Sequence, residues 1–218
     1  MFGYYIKLAI KSVKRNPILS LLMITAIALG IGASMTMITV NYLMSADPIP
    51  HKSHQLFHIQ VDSWDPNNAF NDDEDALPNQ LTWTDATNFT LAKKALRQSA
   101  TSRSGAIIEP VGDDAKPFEA SIRLAYADFF GMFDVPFIFG NPWNSASDTR
   151  REQVIVLIKR INESVFGGEN SGGKTIVIVS KNVKVVGVID DWQPMSKFYD
   201  VNNGACNVPA ELFLLFTL

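Results

Sequence analysis

Between Arg15 and Asp47 the chain carries no charged side chain. Within that gap Pro17 to Met44 reads PILSLLMITAIALGIGASMTMITVNYLM, with Asn41 its most polar member. About 20 apolar residues cross the hydrocarbon core of a bilayer as a helix, and this run exceeds that length. Such length argues against a strand or a buried core helix. A secretory signal peptide has a shorter apolar centre and closes on a small-residue cleavage site. Here only Met44-Ser45-Ala46 approaches one. The sequence therefore predicts an uncleaved transmembrane helix over residues 17–44.

The flanks orient it. Lys7, Lys11, Lys14 and Arg15 precede the span and Asp47 follows it. Positive flanks stay in the cytoplasm, which puts the N-terminus inside and the residues after about Ser45 outside. Residues 2–15 (FGYYIKLAIKSVKR) read as amphipathic. Tyr4, Tyr5, Leu8 and Ile10 alternate with Lys7, Lys11 and Lys14 in a helical pattern. Such a segment either lies in the headgroup layer against membrane lipid or serves only as a basic topogenic flank. Inside the span, Ala26, Gly30 and Ser34 recur every fourth residue and share a face. Small residues on one face favour close packing against another transmembrane helix, although glycine is common in membrane helices in any case.

Beyond residue 47 charges of both signs are mixed, and the whole chain of 218 residues has a formal net charge of -3. Nucleic-acid partners are excluded, since they need a basic face. The single cysteine, Cys206, rules out an intrachain disulfide. A domain of this size needs none to bury a core.

Residues 45–218 read as one mixed α+β domain. Gln55–Val61 is strand-like, and Asp62–Asn79 is a polar loop containing the acidic run Asp72–Asp75. Trp83–Leu96 reads as a helix. Arg103–Val111 and Pro117–Tyr126 read as strands around a Gly112-Asp113-Asp114 turn. A helical turn follows over Ala127–Phe133, then a strand over Val135–Phe139 ended by Gly140. Val154–Leu157 is another strand, and Lys159–Phe166 a short helix closed by Gly167-Gly168. Thr175–Val179 and Val183–Ile189 form a hairpin across Ser180-Lys181-Asn182.

Three patterns look chemical. Gly168-Glu169-Asn170-Ser171-Gly172-Gly173-Lys174-Thr175 satisfies the phosphate-loop pattern letter for letter. Phosphate binding needs a strand before the loop and a helix after it. Here the order is helix, loop, strand, so the segment is expected to be a glycine-rich turn that binds no nucleotide. His51, His54 and His58 are all the histidines of the chain. Two prolines disfavour a helix there and no spaced carboxylate completes a zinc set, so no metal is expected. The acidic run lacks the glycine turn of a calcium loop. No nucleophile–base pair stands out, so neither an enzyme nor a cofactor is expected.

Residues 124–193 carry a family resemblance, in Asp128-Phe129-Phe130, Val135-Pro136-Phe137, Gly140, Val154–Leu157, Val165-Phe166-Gly167-Gly168, Gly173-Lys174-Thr175-Ile176 and Val185–Asp191. In this order and spacing they resemble the MacB-type periplasmic core of ABC transporter permeases in the FtsX-like superfamily, which follows the first transmembrane helix of those proteins. The residues that carry the core motif are Phe129, Phe130, Pro136, Gly140, Phe166, Gly167, Gly173, Lys174 and Gly187. One departure is Ser171-Gly172, where the family has a proline before the Gly-Lys turn. The resemblance implies a bacterial inner-membrane location with the main domain periplasmic. It also implies a permease-like subunit beside a separate ABC ATPase and a second permease copy or paralogue. ATP hydrolysis would be coupled to periplasmic rearrangement, for export or extraction of peptides, antibiotics or lipoproteins. Members continue through the rest of the core and three more transmembrane helices, so the domain is expected to be incomplete at its C-terminus, where Glu211–Leu218 reads as the start of a strand or helix. The alternative is a single-pass anchor displaying a periplasmic interaction domain with no transport role.

Overall fold

Proline at position 17 sets the first structural boundary. The computed structural model describes residues 2–45, 47, 49–65, 67, 70, 77–110, 116–194, 197, 199–200 and 209–216. Helix α1 spans Phe2–Arg15 and closes with Lys14 and Arg15 in its last turn, where cations suit the helix dipole. Helix α2 spans Pro17–Ser45. Pro17 lacks an N–H, which the first turn of a helix does not need. The Asn16 carbonyl accepts the first bond of α2, from Ser20 N at 3.1 Å. At 1.5 Å per residue α2 is about 43 Å long, ample for a hydrocarbon core of about 30 Å. Its hydroxyls bond within their own helix: Thr25 donates to Leu22 O at 2.9 Å and Thr36 to Gly32 O at 2.9 Å. Both hydroxyls thus have acceptors within their own helix, as a membrane-spanning helix would require.

Residues from 48 onward form a second unit. Its strands are β1 (Thr101–Glu109), β2 (Phe118–Ala125), β3 (Phe137–Gly140), β4 (Val154–Ile158), β5 (Thr175–Ile178), β6 (Lys181–Ile189) and β7 (Leu212–Leu215). Helix α3 (Trp83–Ala92) precedes the strands, and α4 (Asp128–Met132), α5 (Ser145–Arg150) and α6 (Lys159–Phe166) lie between them in sequence. The strand order is β3-β6-β4-β7-β2-β1-β5, and β5 also pairs with β6. The sheet therefore closes on itself through β6, β4, β7, β2, β1 and β5, with β3 an outlying edge. One side of β6 pairs with β4 over Lys184–Ile189. Its other side is shared, with β5 along Lys181–Lys184 and β3 along Gly187–Ile189.

Burial follows from this closure. β4 (VIVLI) lies between parallel β6 and antiparallel β7, and all five of its residues are buried. β7 (LFLL) is buried throughout between β4 and parallel β2. Continuous apolar runs mark strands covered on both faces. The core gathers Ile108, Ile155, Leu157, Ile176, Val185 and Leu212, all fully buried.

The elements differ from the sequence reading in definite places. The strand expected at Gln55–Val61 does not form: Gln55 ends a 3-10 turn, residues 56–61 have no ladder partner among the described residues, and Phe57 is 83% exposed. Alternation alone makes no strand without a neighbouring edge to pair with. The helix at Trp83 stops at Ala92 instead of Leu96, because Lys93 turns left-handed at φ 46°. β3 begins two residues later than expected and includes Gly140. α5 was not foreseen, although Asn144 caps it by accepting from Ser147 N at 3.0 Å. The expected turn at Gly112–Asp114 and the acidic run Asp72–Asp75 lie outside the described residues. Glu211–Leu218, read as the start of a strand or helix, supplies β7 in the middle of the sheet.

The β5–β6 hairpin turns on two residues, Val179 and Ser180, not on Ser180–Asn182. Ile178 pairs with Lys181, and both turn residues have positive φ, 47° and 60°. Positive φ at both central positions defines the type I′ turn, which favours Asn-Gly. A β-branched residue is poorly suited to it. The double substitution Val179→Asn/Ser180→Gly should stabilise the chain by about 1–2 kcal/mol, the cost of a left-handed residue. The check is the denaturant midpoint of the purified protein. It should rise at constant slope, and a lower midpoint would contradict this turn.

Candidate functional site

Five of the residues that carry the family motif, Phe129, Phe130, Pro136, Gly140 and Gly187, meet at one corner of the second unit, where α4 packs on β7 and β3 pairs with β6. Phe129 and Phe130 are adjacent on α4 and both are buried. Phe129 is the hub: its ring centroid lies 4.7 Å from Phe133, 5.5 Å from Phe213 on β7, 5.6 Å from Tyr199 and 6.0 Å from Trp192. Phe130 meets Trp143 edge-on at 4.7 Å and Phe137 of β3 at 5.4 Å. Pro136 is exposed, and its carbonyl accepts from Asp190 N at 3.1 Å, extending the β3–β6 pairing.

Two glycines let β3 and β6 approach closely where they pair. At Gly140 φ is +69°, and a Cβ would overlap the Val186 carbonyl oxygen and lie 3.0 Å from Gly187 Cα. At Gly187 a Cβ would lie 2.7 Å from the Phe137 ring. Nearby registers slip: β4 pairing passes from Val185 to Gly187, and β3 pairing skips Ile138. Such bulges bend and twist a strand, which lets β6 serve β3, β4 and β5 together.

The remaining motif residues shape the turn from α6 to β5. Gly167 ends α6 in the left-handed conformation, its N–H bonding Glu163 O at 3.0 Å. Gly173 N donates to Val185 O at 2.8 Å, and Val185 N donates back to Lys174 O at 2.9 Å. Lys174 Nζ pairs with Glu169 at 2.7 Å and sits 5.2 Å from the Phe166 ring centroid. The loop thus follows a helix and enters a strand, the reverse of a phosphate loop. Its lysine is held by a carboxylate and an aromatic face.

The histidines are dispersed. His51 Nε2 lies 2.8 Å from Asp134, His54 lies 3.0 Å from the Gln55 side-chain amide, and His58 is exposed. Asp134 also receives Lys52, which donates to Gly131 O at 3.1 Å as well. The Lys52 hydrogen bond, with help from His51, holds the Asp134 carboxyl below its usual value. These contacts fasten the leader at residues 51–52 to the end of α4. Cys206 lies outside the described residues.

Two polar clusters, one buried and one half-buried, escaped the sequence reading. Arg123 of β2 is 3% exposed; it pairs with buried Asp200, donates to Thr101 Oγ1 at 3.3 Å and lies 4.9 Å from the Tyr199 ring centroid. Burial pushes the Tyr199 hydroxyl above its ordinary value. An arginine inside a strand carries no sequence signal of such a partner. The second cluster is Asp148 on α5, which accepts from Ala127 N at 3.0 Å and Trp143 Nε1 at 3.0 Å. Burial raises the Asp148 carboxyl, the two donors oppose the rise, and the Asp128 carboxylate adds to it.

That shift has a sign. A raised carboxyl binds its proton more tightly in the folded chain, so its contribution is full below its ordinary value of 3.8. It is lost as pH climbs through the raised value. Asparagine cannot titrate and can replace only one of the two accepting oxygens. Asp148→Asn should therefore be less stable than the parent in acid. The gap should narrow as pH rises from about 4 toward neutrality. Denaturation midpoints of both proteins across that range test this, and a gap that widens with pH would refute it.

In the first unit, Ala26, Gly30 and Ser34 are exposed on α2, and nothing lies within 4 Å of a Cβ built on Gly30. Among the described residues, no group of His, Cys, Asp and Glu is placed to hold a metal. The corner at α4, β3 and β6 is thus a packing site whose aromatic and glycine residues fix how these strands pair.

No curated protein matches the chain in sequence. Among solved structures, the periplasmic region of MacB from Actinobacillus actinomycetemcomitans is 22% identical, with a TM-score of 0.47, over 63% of this chain and 56% of that one. The extracellular domain of the noncanonic ABC-type transporter YknZ from Gram-positive bacteria is 12% identical, with a TM-score of 0.46, over 63% of each chain. The chain thus spans less than two thirds of either structure. The model of the MacB-like periplasmic core domain matches residues 20–214, most of α2 and nearly all of the second unit, and the chain belongs to that family.

Proposed function

We propose that this chain is a permease-type subunit of an ABC transporter, anchored by α2 in a bacterial inner membrane with its N-terminus cytoplasmic and its main domain periplasmic. The observation that carries the reading is the family match across residues 20–214, which takes in the apolar helix and the α+β unit together. The basic residues before α2 support the orientation. In this role the chain performs no chemistry. A separate ATPase hydrolyses ATP, and a second permease copy or paralogue packs beside α2, with Ala26, Gly30 and Ser34 as the closest approach. The domain moves as a body on a substrate outside the membrane, of the peptide, antibiotic or lipoprotein kind. The packed corner around Phe129 and Gly140 suits mechanical transmission, because close-packed interiors pass on strain.

The test is purification of the tagged chain from membranes of its own host. An ABC ATPase should co-purify, and a reporter fused after Leu218 should be active only in the periplasm. A chain that extracts without any ATPase would overturn the transporter reading in favour of a single-pass anchor. Reporter activity in the cytoplasm would overturn the orientation.

A further inference from the structure

We propose that the loop after α3 docks on anionic lipid headgroups of the leaflet from which α2 emerges. The proposal rests on the reading that α2 spans a membrane. The loop closes the stretch Leu91–Arg97, which reads LAKKALR. Leu91 is 70% exposed and Leu96 96% exposed, and Lys93, Lys94 and Arg97 are exposed with them. A leucine with nearly all its surface in water adds nothing to the core of its own domain. Exposed apolar side chains set among cations match the chemistry of a bilayer interface, where the apolar groups enter and the cations stay at the headgroups.

Three observations select lipid as the occupant. The first is the reach of the chain. Only residues 46–48 separate the end of α2 from Ile49, which is buried in the core of the second unit. At full extension those four steps cover about 14 Å. Lys52, three residues later, donates to Gly131 O at 3.1 Å, and Arg97 of the loop donates to the same oxygen. Leu56 and Leu96 line one hollow beside them. The loop therefore lies against the tether that leads out of the bilayer. The second observation is that charge is polarised along this leader. Lys52, Lys93, Lys94 and Arg97 are on the tether or on the loop against it. Of the carboxylates there, Asp134 pairs with Lys52 and His51, and Asp128 accepts from Gln98 N at 3.0 Å. Asp62, Asp65 and Asp85 come at the far end of the leader, where Ser63 bonds Asp85. An anionic surface attracts the first end and repels the second. The third is that a second copy of the loop would set like charges against each other, which is unfavourable.

The experiment uses the full chain with Cys206→Ser and one further substitution, Leu91→Cys, Leu96→Cys, Ile107→Cys or Ile138→Cys, each carrying a fluorophore and reconstituted. Ile107 and Ile138 are exposed isoleucines elsewhere on the domain, and Ile31→Cys in α2 reports on the span. The vesicles are phosphatidylcholine with phosphatidylglycerol, and phosphatidylcholine alone. Each is doped with lipid bearing a nitroxide, either at the headgroup or deep in the acyl chains. The readout is quenching by the nitroxide and, separately, by iodide in the water. In phosphatidylglycerol vesicles the headgroup nitroxide should quench positions 91 and 96 severalfold more than 107 and 138. That excess should fall severalfold in phosphatidylcholine alone, and likewise with Lys93→Glu/Lys94→Glu. Quenching at 96 no greater than at 107, with position 31 quenched by the deep nitroxide, would overturn the proposal and leave the span intact. A label at 31 open to iodide and not to the deep nitroxide would overturn both. Equal excess in the two vesicles, or an excess that survives Lys93→Glu/Lys94→Glu, would overturn the anionic-lipid role. Position 96 shielded from iodide and from the nitroxide alike would name a second copy as the occupant and overturn the proposal too.

Discussion

Phe129→Ala should destabilise the protein by about 3–5 kcal/mol, the range for emptying a buried phenylalanine site. Phe129 is fully buried, and its ring touches those of Phe133, Trp192, Tyr199 and Phe213. These come from the end of α4, from β7 and from the segment after β6, so one ring joins three parts of the chain. Neighbours from different elements cannot all collapse into the space it leaves. Phe129→Leu keeps most of the volume and should cost less, about 1–2 kcal/mol. Phe57→Ala is the matching control. Phe57 is 83% exposed, and its removal should change stability by less than about 0.5 kcal/mol. Thermal unfolding of the purified proteins, followed by near-UV circular dichroism, ranks the three. If Phe129→Ala melts no earlier than Phe57→Ala, the aromatic corner is not a packed core.

Gly140→Ala should cost about 3–4 kcal/mol, from two separable sources. The left-handed backbone at φ +69° costs an alanine about 1–2 kcal/mol. Its Cβ would also overlap the Val186 carbonyl and press on Gly187 Cα, and overpacking typically adds about 1–3 kcal/mol. Those obstacles are backbone atoms inside a paired strand, so neither can swing aside. Gly167→Ala isolates the first source. Gly167 has φ +74° with nothing within 4 Å of a Cβ, so only the backbone term of about 1–2 kcal/mol applies. With a shift of about 2–4 °C per kcal/mol in a domain of this size, Gly140→Ala should melt about 5–10 °C below Gly167→Ala. Equal melting temperatures would mean that β3 does not approach β6 as closely as the structure has it.

Both predictions fall on motif residues quoted from the sequence, and this shows how those residues act. Phe129, Phe130, Gly140 and Gly187 fix the close pairing of β3 with β6 and the seat of α4, and Gly167, Gly173 and Lys174 fix the turn into β5. The letters of a phosphate loop at Gly168–Thr175 serve the same end. Their neighbours in three dimensions are Val185, Glu169 and Phe166.

The sequence by itself determined what depends on near neighbours. The apolar helix expected over residues 17–44, observed as Pro17–Ser45, was legible because exclusion of charge over such a length is a local property. So was α6, whose start and glycine end are set within a few residues. The order helix, glycine turn, hairpin was legible from periodicity, as was the α+β class. Tertiary structure decided what depends on distant partners. Residues 55–61 alternate like a strand, yet no edge among the described residues pairs with them, so they form no strand. The β5–β6 turn fell on Val179-Ser180 against local preference, because pairing of Ile178 with Lys181 fixes the register. Closure of the sheet through β6 required β1 and β5, distant in sequence, to meet at Ile108 and Ile178. The buried pair of Arg123 and Asp200 was invisible for the same reason: a charge inside a strand is tolerated only when a partner 77 residues away is folded against it.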